Sequence, residues 1–107
     1  MSNKQQKKTK VKSETDTKGK EYILKLFVTG ILPNSARAVV NIKAICEKYL
    51  KGKYELEIID IYQQPALALT EEIIAIPVLI KKFPLPETRL IGDLSNTENV
   101  LKGLRLI

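Results

Sequence analysis

The chain has no histidine and a single cysteine, Cys46, among its 107 residues. Without imidazole it lacks the usual general base of neutral pH, and with it any Ser-His or Cys-His pair. One thiolate cannot complete the four ligands of an ordinary zinc site. A lone cysteine forms no intramolecular disulfide, which excludes a stapled secreted scaffold and makes a reducing cytoplasm the default expectation. No apolar run approaches the ~20 residues that cross a bilayer. The lysines near the N-terminus have no apolar segment behind them, so no signal peptide is expected. P-loop, dinucleotide fingerprint and metal-ligand cluster are all missing. Glu71-Glu72 and Glu55/Glu57 are the obvious carboxylate pairs, but neighbours on a helix diverge, and residues on an exposed strand face need only solvent. The expectation is a protein with no metal, no cofactor and no catalytic residues.

What is present is unevenly distributed. Residues 1–20 carry seven lysines against Glu14 and Asp16, which is +5 of the chain's net charge of +6. Val11 is their only apolar residue after Met1. Such a segment cannot bury enough surface to offset the entropy of ordering it, so residues 1–20 are expected to be a disordered basic tail. The tail could be an electrostatic arm for nucleic acid or an anionic surface, or simply a solubilising extension. It has no aromatic residue to stack on a base, which favours the second reading and argues against nucleic acid as a partner. Residues 21–107 are nearly neutral and aliphatic-rich, and at this length they form one small domain.

Within the domain, Tyr22 to Val28 (YILKLFV) is apolar except for Lys25 and suits a central strand covered on both faces. Gly30 ends it, and after Pro33 either Asn34 or Ser35 can cap the orphan N–H groups of a helix. Its stripe of Val39, Ile42, Ile45, Cys46, Tyr49 and Leu50 recurs at helical spacing. Gly52 supplies the left-handed stop. Tyr54 to Tyr62 reads as a second strand, and strand, helix, strand in about 40 residues is a βαβ unit with parallel pairing. Pro65 to Glu72 suits a short helix. Ile73 to Ile80 (IIAIPVLI) is apolar enough for a buried helix or a buried strand, and Pro77 favours a strand beginning just after it. Lys81 to Pro86 reads as a turn and Thr88 to Ile91 as another strand. Ser95 and Glu98 form a capping box before a last helix containing Val100, Leu101, Leu104 and Ile107, which Gly103 weakens.

The order β-α-β-α-β-β-α is the thioredoxin plan, in which an Ile-Pro step ahead of the third strand is commonly cis; Ile76-Pro77 stands at that place. The redox chemistry of the plan needs a low-pKa thiolate at the start of the first helix. That position holds Leu32-Pro33-Asn34-Ser35, while Cys46 lies about three turns further on, on the apolar face. Disulfide exchange is excluded and a buried, inert thiol is expected.

Tyr22-Ile-Leu-Lys-Leu-Phe-Val-Thr-Gly30, Pro33-Asn34-Ser35-Ala36-Arg37-Ala38, Ile59-Asp60-Ile61 and Leu90-Ile-Gly-Asp-Leu-Ser95, with Val100-Leu101 and Gly103-Leu104, together resemble the KaiB family of clock proteins. The resemblance spans residues 21–107 and leaves the basic tail outside. It implies a non-enzymatic adaptor that binds the ring-shaped ATPase and kinase KaiC, and in complete clock systems captures KaiA and competes with a histidine kinase. It implies an α/β, thioredoxin-like KaiB fold with a common N-terminal βαβ. The C-terminal half is then either β-α-α-β, in a resting dimer or tetramer, or α-β-β-α, in a monomer that binds KaiC. Two packings separated by a few kcal/mol need compromise sequences, as the runs around Pro77 and Gly103 are.

Arg37, Gln63 and Gln64 are the partner-contact positions this resemblance implies, and Gly92, Asp93 and Pro77 the positions that would bias the switch. Gly92→Ala or Asp93→Arg is expected to move oligomer toward monomer. Two stretches depart from cyanobacterial members: Tyr62-Gln63-Gln64-Pro65 lacks their lysine before an Asn-Pro step, and Leu69-Thr-Glu-Glu72 replaces their Glu-Glu-Asp-Lys. A stress or signalling adaptor with a different protein partner is therefore the alternative reading.

Overall fold

A computed structural model describes residues 20–107. The basic tail assigned to residues 1–20 lies, apart from Lys20, outside the described residues. The elements are β1 (Tyr22–Val28), α1 (Pro33–Tyr49), β2 (Tyr54–Asp60), α2 (Pro65–Thr70), β3 (Val78–Phe83), β4 (Thr88–Ile91) and α3 (Thr97–Gly103). They form one four-stranded sheet in the order β2-β1-β3-β4. β1 and β2 run parallel, as a βαβ unit requires, and β3 and β4 are antiparallel to their neighbours. Of the two orders expected for the second half, this is α-β-β-α, the thioredoxin-like one.

Alternation along the strands divides the sheet between two layers. Tyr22, Leu24, Leu26 and Leu79 face α1 and α3, where they pack with Ala38, Ile42, Ile45, Cys46, Val100, Leu101 and Leu104. Phe27, Ile59, Val78 and Ile80 face the other way, against Ile61, Leu67 and Ile73. β1, central and apolar, contributes to both. Its Tyr22 hydroxyl donates to the Leu104 carbonyl at 3.0 Å and so ties the first strand to the end of the last helix.

Local details depart from the pattern-based expectation for identifiable reasons. Neither Asn34 nor Ser35 caps α1: the cap residue is Leu32, with Pro33 beginning the helix. The Ser35 hydroxyl instead accepts the Thr29 N–H at 3.1 Å, and Asn34 accepts from Arg37. Tyr49 leaves the stripe and is exposed. β2 stops at Asp60 because that residue turns the chain. Its carboxylate accepts the Tyr62 N–H at 2.8 Å, and its carbonyl accepts those of Gln63 and Gln64. α2 ends at Thr70 rather than Glu72, which takes a φ of 56°.

The turn expected over Lys81 to Pro86 begins later, since β3 continues through Phe83 with Lys81 buried and Lys82 paired to carboxylates. α3 is capped by Asn96, whose side chain accepts the Asn99 N–H at 3.1 Å, one residue after the expected Ser95. Gly103 serves close packing: a Cβ there would lie 2.6 Å from Leu90 Cδ2 on β4. Ile76–Pro77 is cis, as are Phe83–Pro84 and Leu85–Pro86.

Candidate interaction surface

Parallel β1 and β2 both end at one pole of the sheet, so the loops that follow them meet there. Asp60 joins the two. Its carboxylate accepts the Gly30 N–H at 3.2 Å from the β1–α1 loop while its other oxygen accepts from Tyr62 in the β2–α2 loop. Gly30 has no room to spare, because a Cβ would lie 3.2 Å from that carboxylate. Pro77 enters β3 from the same pole, and its carbonyl accepts the Gly92 N–H at 2.9 Å as β4 leaves. Gly92 has φ +114°, a conformation that side chains other than hydrogen rarely adopt.

Asp93 fastens the next loop to α1. One carboxylate oxygen accepts the Arg37 Nε–H at 3.2 Å and the other the Ser95 N–H at 3.0 Å, while the Asp93 carbonyl accepts from Asn41 at 2.9 Å. Hydrogen bonds from Ser95, then the Arg37 guanidinium, hold its carboxyl below the ordinary carboxylate value. Arg37 remains more than half exposed beside this pair and is also bonded to Asn34.

Of the positions singled out in the sequence, Arg37 and Asp93 are thus in direct contact, and so are Pro77 and Gly92. Gln63 and Gln64 are exposed in the β2–α2 loop, with Gln64 at the start of α2. Among the described residues no hydrogen bond links their side chains to Arg37.

Apolar surface that pattern reading missed begins at this pole and continues along α2 and the residues after it. Tyr62 is 70 % exposed, Leu69 81 % and Ile74 94 %, so the run from Ile73 is not uniformly buried. With Ile61, Pro65 and Ile73 they line a groove of about 590 Å³ beside α2. Ile31 and Leu32 are exposed in the neighbouring β1–α1 loop. The available signal was the length of α2: a helix under two turns, all apolar but for Thr70, cannot bury every face. A second, smaller groove of about 370 Å³ lies between β4 and α3, bounded by Ile91, Gly92, Asp93 and Asn96.

No thiol stands at this pole. Cys46 is buried on α1, and burial, reinforced by the Glu47 carboxylate, pushes its thiol up to about 12. Burial and a raised pKa both disfavour the thiolate that disulfide exchange requires. No group of metal-ligating side chains, and no helix long and apolar enough to cross a membrane, occurs among the described residues.

A KaiB domain profile matches residues 25–106. The circadian clock oscillator protein KaiB of Thermostichus vulcanus is 50 % identical over 88 residues, covering 82 % of each chain. Among solved structures, the N-terminal domain of SasA from Synechococcus elongatus superposes with a TM-score of 0.64 at 25 % identity, over 82 % of this chain and 87 % of that one. The thioredoxin Deadhead of Drosophila melanogaster gives 0.71 at 14 % identity, over 91 % and 90 % of the two chains, a likeness of fold alone.

Proposed function

The chain belongs to the KaiB family, clock regulators rather than enzymes, and we propose that it is an adaptor that binds a KaiC-type ATPase ring with the loop-bearing pole. The observation that carries this reading is the exposed Tyr62, Leu69 and Ile74 groove, contiguous with the β2–α2 loop that holds Gln63 and Gln64. An apolar patch with a polar rim is the surface a protein partner desolvates. Arg37, on the adjoining start of α1, supplies a charged contact at its border.

Fold switching is the second part of the proposal. The segment from Pro65 to Ile107 is taken to exchange between α-β-β-α and a resting β-α-α-β order in a dimer or tetramer, with Pro77, Gly92 and Asp93 at the junctions. KaiA or a histidine kinase would join only where a complete clock is present. A second reading, an adaptor in another signalling circuit, is favoured by Gln63 and Gln64, where cyanobacterial members carry a lysine. Losing a charged contact at the centre of an interface can cost 2 kcal/mol or more.

Co-elution with the cognate KaiC-type ATPase and nucleotide, after hours of incubation, separates the two. A stable complex that Leu69→Ser with Ile74→Ser weakens by roughly thirtyfold or more supports the first reading. Absence of any complex overturns it. Both substituted residues are exposed, so the thermal midpoint of the double variant stays close to that of the parent.

A further inference from the structure

Helix α2 buries none of its residues completely, and neither does the segment from Glu71 to Ile76 that follows it. Leu67 and Ile73, both partly buried, bring this stretch onto the cluster of Phe27, Ile59, Val78 and Ile80. Its C-terminal end is held by charge. Arg89 on β4 donates to the Glu71 carbonyl at 2.6 Å and the Glu72 carbonyl at 3.3 Å. Both carbonyls lie just past the helix, at the negative end of its dipole, where a cation is favourable.

Lys82 on β3 donates to both carboxylate oxygens of Glu71 at 3.1 Å. Glu87 in the β3–β4 turn closes the set, 3.3 Å from Lys82 and 3.7 Å from Arg89. Two cations and two anions therefore alternate where α2 meets the hairpin. Glu72, just past the helix, takes a left-handed conformation that a non-glycine residue keeps only when its surroundings hold it.

We infer that Arg89, with Lys82, Glu71 and Glu87, is an ionic latch that holds residues 65–76 as a strap across one face of the sheet. Release lets the strap leave as a unit and uncovers Phe27, Ile59, Val78 and Ile80, while the layer under α1 and α3 stays folded. The contrast in anchoring carries this. The α1 and α3 side is a continuous buried core, whereas the strap has no fully buried residue and packs only Leu67 and Ile73 on the Phe27 cluster, beside the four charges. Arg89, Lys82 and Glu87 are each at least a quarter exposed, so dissolved salt reaches the latch. The inference holds whichever partner the protein binds.

Hydrogen exchange of the full chain, read by NMR or mass spectrometry, tests it. The amides of Glu71, Glu72 and Ile73 bond to the carbonyls of Leu67, Leu69 and Ala68 and report the strap; those of β1, paired on both sides, report the core. Arg89→Gln is expected to speed exchange at residues 71–73 by about ten- to a hundredfold while β1 stays within about twofold. Raising KCl from about 0.05 to about 0.5 M is expected to do the same to the parent chain, more weakly. Unchanged exchange at residues 71–73, or equal acceleration in β1, overturns the latch. Should Arg89→Gln not fold, the salt series on the parent chain decides by the same two criteria.

Discussion

Lys81 lies on β3 opposite Leu24 of β1, on the face that packs under α1 and α3, with only 1 % of its surface exposed. Its Nζ has no hydrogen-bond partner among the described residues. Burial, then the nearby Arg105 guanidinium, lowers its pKa below the ordinary 10.5. Lys81→Met keeps the packed stem and removes the cation, and is expected to raise stability by about 1–3 kcal/mol in urea unfolding. The pH dependence has a definite sign. The unfolded chain keeps this proton up to 10.5 while the folded chain gives it up earlier, so parent stability rises with pH across that interval and the variant loses the rise. Lys82 acts oppositely: its hydrogen bond to Glu71 raises its pKa, so its contribution is complete below 10.5 and is lost above. In sequence the two lysines look like one solvated pair. Strand alternation sends them to opposite faces, and β3 had to extend past Ile80 for that to matter.

Elements were legible to the extent that they depend on neighbours in the chain. β1 has the limits its apolar run implied, and α1 ends ahead of Gly52, which takes φ +78°. Ends set by side-chain geometry were less legible. Ser95 and Glu98 suggested a capping box, but Asn96 caps α3, because Ser95 is drawn to Asp93 through its N–H. Asn96→Ala is expected to cost about 1 kcal/mol. That corresponds to a fall of about 4–8 °C in the thermal midpoint of a domain this size, measurable by circular dichroism. Ser95→Ala is expected to leave the α3 cap intact. The end of α2 was misplaced for a different reason: the Glu71 and Glu72 carbonyls, just past the helix, are bonded by Arg89, eighteen residues from Glu71, and no local pattern contains that bond.

At the scale of the whole molecule, Gly92 joins the pole to the second half of the fold. Its φ of +114° is open to glycine and strained for alanine, although a Cβ would meet nothing within 4 Å. Gly92→Ala is therefore expected to destabilise the thioredoxin-like form by about 1–3 kcal/mol. If the chain exchanges with a resting oligomer, this geometry shifts the balance toward the oligomer, opposite to the direction expected from the sequence. Sedimentation velocity on the variant and its parent distinguishes the two directions. A fully monomeric variant of unchanged stability would refute the strain argument.

Residue types and their local spacing by themselves determined the β1-α1-β2 unit, the lack of a cysteine at the start of α1 and the family pattern, since each of these depends on short stretches or on residues that are simply missing. Only the tertiary structure decided which order the second half takes, which lysine is buried, and that Arg37 meets Asp93 across 56 residues of chain. It also left Tyr62, Leu69 and Ile74 outside. The order of the second half is open locally because apolar runs as short as Ile73 to Ile80 satisfy a helix or a strand equally well, and the contacts lie between segments far apart in the chain. The burial and the partners of such runs are set by segments distant in sequence that fold back onto them.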